Sequence, residues 1–382
     1  MRILVFFSFI HCLNISFING GILSEQEALL AIKSAIKDDP HKSLSSWKNT
    51  THHCNWSFVT CSSSSHSPTV ISLDFSNLKL NGTLSPQIGF LTNLQNLSLL
   101  FNDFYGNVPS SLHLLTKIQY LNLQFNQFSG RLPLFVNMSE LRCLSLGGNH
   151  FSGSISPEFS KLQKLQVLDL SGNILSGLLP RELGFLKRLK TLDLSNNFLD
   201  GEIPNSFSLL NNLSDLDLSQ NTLDSEIPNS FSLLTNLIYL NLSYNFLHGK
   251  IPNSFSLLTN LSYLALSVNQ LHCFIPEFIG DLSKLKELRI WGNNFTGSIP
   301  HKLGTNGLLT YLDVSSNNLS GPIPESLGSC KLLYFLNMTN NQLTGQLPIN
   351  IGKLTRLNYL LVANNNLIGK ITPQITVFHC IH

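Results

Sequence analysis

Charged residues are scarce in this chain of 382 residues. Lys and Arg number 24 and Asp and Glu number 22, so that 12% of the chain is charged, against about a quarter of an average soluble domain. The formal net charge is only +2, and the basic residues are scattered. Because binding to nucleic acid or to an anionic membrane needs a basic patch, the sequence predicts neither partner.

Long apolar runs and catalytic motifs are also missing. Hydrophobic residues make up 43% of the chain, yet no run approaches the roughly 18 to 20 residues that cross a bilayer. There is no Gly-rich phosphate loop, no nucleophile with its base, no catalytic Lys and no metal-ligand spacing. We therefore expect a protein that is not an enzyme and that has no cofactor, no metal site and no membrane span in this chain.

The first residues have the composition of a secretory signal. Met1 and Arg2 supply a positive charge, the apolar stretch Ile3–Ile10 follows, and two glycines come soon after at positions 20 and 21. We predict a signal peptide over residues 1–20, with a buried N-terminal strand as the alternative. Export would place the chain in the secretory pathway, where disulfides persist.

From Val70 onward, one asparagine recurs at nearly constant spacing. The segments around it read Leu-x-x-Leu-x-Leu-x-x-Asn-x-Leu, and the alternation within them predicts a short strand. Such a period indicates leucine-rich repeats, thirteen in all, of which the first has Leu78 in place of Asn. We predict an α/β solenoid, a right-handed leucine-rich-repeat superhelix with a parallel concave β-sheet. The asparagine stands at positions 102, 126, 149, 173, 197, 221, 245, 269, 293, 317, 341 and 365.

Two recurring features of the repeat are expected to serve its structure rather than ligand binding. The recurring Asn lies where the chain turns inside a dry interior, so we expect it to hold backbone groups rather than a ligand. The outer half of most repeats carries Gly-x-Ile/Leu-Pro, in which Gly permits a tight turn and Pro fixes an extended segment. Ser225 and Cys273 replace this Gly in two repeats.

A cap is predicted between the signal and the repeats. Ser24 and Glu27 form a capping box that opens an amphipathic helix, which ends at the Asp-Asp-Pro sequence of residues 38–40. Cys54 and Cys61 are predicted to form a disulfide that protects the open end of the core. A metal site is the alternative, and it lacks two further ligands at suitable spacing.

The remaining cysteines of the repeats lie several coils apart. Cys143, Cys273 and Cys330 are therefore too distant from one another to form disulfides, and we expect free buried thiols. The whole chain is predicted to divide into a signal peptide (1–20), an N-terminal leucine-rich-repeat cap (24–69), thirteen repeats of about 24 residues (70–373) and an irregular truncated end (374–382).

The cap motif Ala28-Leu-Leu-Ala-Ile-Lys33, its two cysteines and the 24-residue repeats resemble plant leucine-rich-repeat receptor-like kinases. Within that family, the stretch from Ile275 to Gly307 is similar to the CLAVATA and BARELY ANY MERISTEM type. The resemblance implies an ectodomain that binds a secreted CLE-like peptide or a protein on its concave face, for signalling in development or defence. It also implies a membrane span, a cytoplasmic kinase and a leucine-rich-repeat co-receptor kinase as partner.

Several features depart from the pattern of this family. The family's Arg-x-Arg pair, implied to hold the carboxylate of the ligand, is replaced by Phe335 and Asn337, and Phe58 stands where Gly is usual. The sequence given reaches His382 without a closing Cys pair, a membrane span or the serine/threonine kinase. We therefore expect a truncated receptor, apoplastic as given or at the plasma membrane if it continues. The alternatives are a secreted polygalacturonase-inhibitor-like protein and a non-functional truncated product.

The positions that project from the concave strands are rich in aromatic residues, which are common anchors of binding surfaces. A ligand site is predicted here, with aromatic filler favoured in strands as the alternative. A column of aspartates, Asp169, Asp193 and Asp217, is predicted to be a solvated ladder, with contact to a basic ligand or cation as its alternative. The predicted ligand-binding residues are Tyr239, Tyr244, Tyr263, Arg289, Trp291, Tyr311 and Phe335.

Asn-x-Ser/Thr sequons are dense, as is typical of a glycosylated exported chain. Two of them fall on the concave face, where sugar would restrict a ligand. The predicted glycosylation sites are Asn49, Asn55, Asn81, Asn96, Asn137, Asn212, Asn241, Asn260, Asn294, Asn318 and Asn337.

Overall fold

The computed structural model describes residues 23–63, 67–370 and 380–381. The predicted signal peptide and most of the predicted irregular end lie outside these ranges. Within them, the chain winds into a solenoid of thirteen coils behind an N-terminal cap, which confirms the predicted fold class. The coils are numbered 1 to 13 here, beginning with the strand Val70–Asp74.

Each coil contributes one strand to a long concave sheet. The leucines of the strand point inward and are fully buried, as Leu192 and Leu194 are in coil 6, while the residues between them face out. The thirteen strands pair in parallel and in register, and Val59–Cys61 pairs antiparallel with the first of them. The strands are Val70–Asp74, Asn96–Ser98, Tyr120–Asn122, Cys143–Ser145, Val167–Asp169, Thr191–Asp193, Asp215–Asp217, Tyr239–Asn241, Tyr263–Ala265, Glu287–Arg289, Tyr311–Asp313, Phe335–Asn337 and Tyr359–Leu361, followed by Cys380–Ile381.

A second sheet, not predicted from the sequence, runs along one flank. It is interrupted between coils 7 and 8, where only the bridge between Glu226 and His248 remains. The interruption falls beside Ser225, which stands where other coils have a glycine at positive φ, such as Gly201 at +71° and Gly249 at +82°. The strands are Ile36–Asp38, Asn81–Gly82, Asp103–Asn107, Gln127–Arg131, His150–Gly153, Ile174–Leu178, Phe198–Gly201 and Thr222–Leu223, then His248–Gly249, Gln270–Phe274, Asn294–Gly297, Asn318–Pro322, Gln342–Gly345 and Asn366–Leu367.

The outer side of the coils is built from short 3-10 helices. A proline stands at or just before the first helical residue in the coils, because its fixed φ suits a helix start and its missing N–H is not needed there. Each helix buries one apolar residue, such as Phe207, against the column of leucines. The 3-10 helices are His53–Asn55 in the cap and then Pro86–Phe90, Ser110–Leu114, Pro157–Lys161, Arg181–Phe185, Asn205–Leu209, Asn229–Leu233, Asn253–Leu257, Glu277–Asp281, Glu325–Ser329 and Ile349–Lys353.

The recurring asparagines form a continuous hydrogen-bonded ladder inside the coils. The amide of Asn197 donates to the carbonyls of Leu170, Leu194 and Ser195 at 3.0 to 3.2 Å, and its Oδ1 accepts from the Leu175 N–H at 3.0 Å. All twelve asparagines repeat this arrangement, each joining its own coil to the one before. The prediction that they serve the backbone is confirmed, since every amide is occupied by main-chain groups.

The cap closes the N-terminal end of the core. Its α-helix, Glu25–Ala35, begins at the predicted capping box and buries Ala28, Leu29 and Ile32. Trp47 and Trp56 stack at 5.2 Å, and Trp47 also packs against Phe75 of the first coil at 5.6 Å, so aromatic rings cover the exposed end of the leucine column.

The cap contains the predicted disulfide and one residue with a left-handed backbone. Cys54 and Cys61 form the predicted disulfide, with their Cα atoms 5.6 Å apart. The side chains of His52 and His53 lie beside Cys54, but its sulfur is bonded to Cys61 and is therefore not a metal ligand. Phe58 has a φ of +67°, the left-handed conformation that glycine adopts most easily.

The prediction for the free cysteines is partly wrong. All three are unpaired, and Cys330 is buried, but Cys143 is half-buried and Cys273 is exposed. Cys273 occupies the glycine position of the outer turn with φ +68°, and its side chain is exposed there.

Removing one ladder amide should destabilise the solenoid. In Asn197→Ala, the Leu175 N–H and up to three carbonyls lose their partner in a dry interior, so we expect the free energy of unfolding to fall by about 3 kcal/mol. Chemical denaturation of the purified chain measures this loss. Asn211→Ala, at an exposed turn, is the control and should change stability by less than about 0.5 kcal/mol. A loss of that small size for Asn197→Ala itself would contradict the role of the ladder.

The left-handed backbone at Cys273 should make glycine the better residue. We expect Cys273→Gly to raise the free energy of unfolding by about 0.5 to 1 kcal/mol, because relief of the left-handed strain exceeds the added freedom of the unfolded chain. Cys273→Ala retains the Cβ and should leave stability unchanged. Equal denaturation midpoints for the two variants would show that this turn is not strained.

Candidate functional site

The register of the concave sheet brings all seven predicted ligand-binding residues onto one surface. They come from coils 8 to 12, five consecutive strands paired in parallel. We call this surface the aromatic cluster: Tyr239, Tyr244, Tyr263, Arg289, Trp291, Tyr311 and Phe335. Side chains of equivalent positions lie about one strand spacing apart, because the repeat places them in line.

Two pairs of stacked rings form the main row of the aromatic cluster. Tyr239 and Tyr263 stack with ring centroids 4.3 Å apart, and Tyr311 and Phe335 stack at the same distance with nearly parallel planes. Tyr359 of coil 13 continues the row at 5.8 Å from Phe335. The rings leave one face or edge toward solvent, since all four residues of the two pairs are only half-buried.

The guanidinium of Arg289 lies between the two ring pairs, although Glu287 holds the row position of coil 10 and Arg289 belongs to the next column. Its guanidinium carbon is 4.1 Å from the centroid of Tyr311 and 5.4 Å from that of Tyr263, within cation–π range. Its Nε and Nη2 also donate to the Glu287 carboxylate at 3.2 and 2.8 Å. Burial alone would lower the pKa of Arg289, but the bond to Glu287 and the charges of Glu287, Tyr263 and Tyr311 together outweigh it, and the pKa is raised. The guanidinium is therefore a fixed, permanent charge.

Tyr244 and Trp291 extend the aromatic cluster sideways from the row. They meet edge to face with centroids 5.9 Å apart, although two coils separate them in sequence. Together with Tyr263, Tyr311 and Arg289 they line an open cavity of about 410 Å³ on the concave face. A second concave cavity, of about 570 Å³, lies at coils 1 to 4, with Tyr120 among its lining residues.

The aspartate column is not the solvated ladder that the sequence predicts. Asp169, Asp193 and Asp217 lie side by side in register, and each bonds the hydroxyl of the serine two residues later at 2.5 to 2.6 Å. Burial, reinforced by the two flanking carboxylates, raises the pKa of Asp193 to about 6 despite the hydrogen bonds from Ser195. The prediction erred because the column is half-buried and already has partners.

Sequence reasoning missed the polar contacts beside the rings. Asp217 accepts from the Tyr239 hydroxyl at 3.1 Å and from Asn241 at 3.0 Å. Burial first, and then the nearby Asp313, raise the pKa of Tyr311 to about 12. The two concave sequon residues use their amide nitrogens internally, Asn241 as above and Asn337 toward Asp313 at 3.3 Å. A sugar at either nitrogen would have to replace those bonds.

Family comparisons agree with the geometry of cap and coils. A model described as leucine rich repeat N-terminal domain matches residues 22–62, and one described as leucine-rich repeat region matches residues 141–306. A third, leucine rich repeat, matches residues 308–330 and 332–354. The chain is a leucine-rich-repeat protein. It is homologous to the ectodomains of plant leucine-rich-repeat receptor kinases, as the following relatives indicate.

Three relatives illustrate the homology. The probable LRR receptor-like serine/threonine-protein kinase RPK1 of Arabidopsis thaliana is 33% identical over 158 residues, 36% of this chain and 25% of that protein. The crystal structure of PEPR1-AtPEP1 matches with a TM-score of 0.84 and 35% identity, over 93% of this chain and 50% of that chain. The plant peptide hormone receptor RGFR1 in complex with RGF2 matches at 0.72 and 36%, over 79% and 52%.

The leucine-rich-repeat chain thus spans between a quarter and about half of the length of these relatives. The narrower resemblance to the CLAVATA type stays a prediction. In the described part of the chain, no helix has both the length and the apolar character needed to cross a membrane.

The raised pKa of Asp193 should make stability depend on pH. An unfolded Asp ionises near 3.8 and the folded one near 6, so the folded state holds more protons between these values. We expect the free energy of unfolding to fall as the pH rises from about 4 to about 6, by up to about 2 kcal/mol. Asp193→Asn should remove this fall, as measured by thermal denaturation across the pH range.

Asp74→Asn is the matched control for that experiment. Asp74 occupies the same column in coil 1, where the neighbouring strand carries Ser98 instead of a carboxylate. This control should keep the pH dependence of the unmodified chain. If Asp193→Asn kept it as well, the raised pKa of Asp193 would not be the cause of the pH dependence.

Proposed function

We propose that this leucine-rich-repeat chain is an extracellular recognition domain that binds a secreted peptide at the aromatic cluster of its concave face. The observation that carries the proposal is the convergence of stacked rings and one fixed guanidinium from five consecutive coils. Aromatic and Arg side chains are the residues most enriched at binding hot spots, because they bury much area with little loss of side-chain freedom.

The dimensions of the aromatic cluster suit an extended peptide. Four strand spacings of about 4.8 Å give roughly 19 Å, the length of about six extended residues. The strands of these coils are hydrogen-bonded on both sides, so a peptide cannot join the sheet as a further strand. Recognition would therefore come from side chains that project from the sheet.

Homologous structures support a peptide as the ligand. RGFR1 is a plant peptide hormone receptor in complex with RGF2, and PEPR1 is in complex with AtPEP1. A CLE-like peptide is the narrower candidate, although Phe335 and Asn337 leave coil 12 without an Arg pair for a terminal carboxylate. The proposal gives the chain a role in recognition rather than catalysis, with a leucine-rich-repeat co-receptor kinase as a further partner.

Calorimetric titration of the secreted chain with a panel of synthetic plant peptides, CLE-like peptides included, tests the proposal. We expect at least one peptide to bind with a Kd of micromolar or tighter. Tyr263→Ala should then weaken binding by about 10- to 100-fold, since it removes a stacked anchor beside Arg289. Tyr120→Ala, in the same column at coil 3, is the control and should bind as the unmodified chain does. Affinities no tighter than millimolar for every peptide would overturn the proposal.

A further inference from the structure

The column between the two inward leucines of each concave strand follows a rule. From coil 5 to coil 12 it usually carries Asp or Asn, whose Oδ1 accepts from the residue two positions later. Asp193 accepts from Ser195 Oγ at 2.6 Å, and Asp313 accepts from Ser315 Oγ at 2.6 Å. The column reads Asp169, Asp193, Asp217, Asn241, Ala265, Arg289, Asp313 and Asn337.

Coil 9 breaks this rule in the middle of the aromatic cluster. Ala265 has no side-chain acceptor, and the hydroxyl of Ser267 two residues later has no hydrogen-bond partner. Ser267 is only 2% exposed, and together with Ala265 it lines the cavity of the aromatic cluster. Among the described residues, the only other buried side-chain polar atom without a hydrogen bond is Nε2 of His53, which lies 3.3 Å from Glu25.

An unpartnered buried hydroxyl is costly and therefore rare in native structures. In coils 5 to 8 and in coils 11 and 12, a carboxylate or amide oxygen fills the equivalent place, whereas coil 10 carries Arg289 there. The gap at Ala265 is thus the position of one missing acceptor, in the wall of the concave cavity, where Ala265 itself is only 2% exposed.

The neighbours of the gap favour a hydrogen-bond acceptor as its occupant. The strand register places Asn241 on one side of Ala265 and Arg289 on the other. Arg289 is the only basic residue within the thirteen parallel strands that begin at Val70–Asp74. Its two bonds to Glu287 use two of the five N–H donors of a guanidinium, which leaves three for another acceptor.

Three carboxylates lie near the gap, and each already has a donor. Glu287, on the same strand as Arg289, is paired with that guanidinium. Asp217 and Asp313 stand two strands away, roughly 9 to 10 Å, whereas Arg289 stands one strand away, at roughly 5 Å. Asp217 and Asp313 are also already hydrogen-bonded to Ser219 and Ser315. The Ser267 hydroxyl and the unused N–H donors of Arg289 therefore remain to bind an acceptor at the gap, and a carboxylate is the acceptor that pairs best with a guanidinium.

We propose that a carboxylate of the bound peptide occupies the gap at Ala265. It accepts a hydrogen bond from the Ser267 hydroxyl and forms an ion pair with Arg289, replacing the side chain that the other coils supply themselves. This inference rests on the proposed function, and it assigns the ligand an acidic side chain or a free carboxyl terminus at coil 9.

A substitution that places a carboxylate at position 265 tests whether the gap accepts one. Ala265→Asp supplies a carboxylate to Ser267 and Arg289, so we expect the thermal midpoint to rise by about 2 °C and peptide affinity to fall at least 30-fold. Asn122→Asp, in the same column at coil 3, adds the same charge between Ser98 and Ser145, keeps the acceptor for the Gln124 N–H and should change neither quantity. A lowered midpoint for Ala265→Asp would show that the gap does not fit a carboxylate, and would overturn the proposal.

Affinity selection identifies the ligand group directly. A synthetic library of random 12-residue peptides is selected on the immobilised chain in two arms, with free and with amidated carboxyl termini, and bound peptides are sequenced by mass spectrometry. Enrichment of Asp or Glu at one position in both arms indicates an acidic side chain. Binders confined to the free-terminus arm indicate the terminal carboxylate. Both results support the proposal if the binders are lost on Ala265→Asp.

The outcomes separate this inference from the function on which it rests. Binders that are lost on Tyr263→Ala but show no carboxylate preference would overturn the carboxylate proposal and leave peptide recognition standing. If the selection yields no binders that depend on Tyr263, peptide recognition at the aromatic cluster fails, and the carboxylate proposal fails with it.

Discussion

The asparagine ladder is the constraint on which the rest of this solenoid depends. A coil of 24 residues cannot bury its own leucines, and it turns its backbone inside a dry interior where unpaired N–H and C=O groups are costly. Each ladder amide satisfies groups of its own coil and of the preceding one, as Asn197 does for Leu170 and Leu175. The same bonds that satisfy the interior therefore fix the spacing and register of neighbouring coils.

The fixed register decides which side chains meet on the concave face. Residues at the same repeat position are held side by side, so like groups meet whether or not their contact is favourable. Rings gain from this arrangement, as the stacked pairs of Tyr239 with Tyr263 and Tyr311 with Phe335 show. Carboxylates lose by it, since Asp169 and Asp217 add to the burial that raises the pKa of Asp193 between them. Arg289, a single guanidinium in such a column, has no like charge beside it, since its column neighbours are Ala265 and Asp313.

Much of the architecture could be predicted from the sequence because its determinants are local and periodic. The asparagine spacing gave the coils, the capping box gave the start of the cap helix, and Cys54 and Cys61 were assigned correctly. The flank sheet was missed because its strands are short, irregular and defined by pairing rather than by pattern. Cys273 was wrongly expected to be buried, because its exposure follows from a left-handed turn that only the backbone reveals.

The sequence by itself determined the number of coils, the residues that face inward and the seven side chains that would share the concave face, because a strict repeat converts position in sequence into position in space. Only the tertiary structure decided how those side chains interact. Whether Arg289 pairs with Glu287, whether Asp193 is solvated and whether the Ser267 hydroxyl finds an acceptor all depend on rotamers and burial. The contacts concerned join residues two positions apart in one coil or about 24 positions apart on neighbouring strands, and the repeat pattern carries no information on their distances or burial.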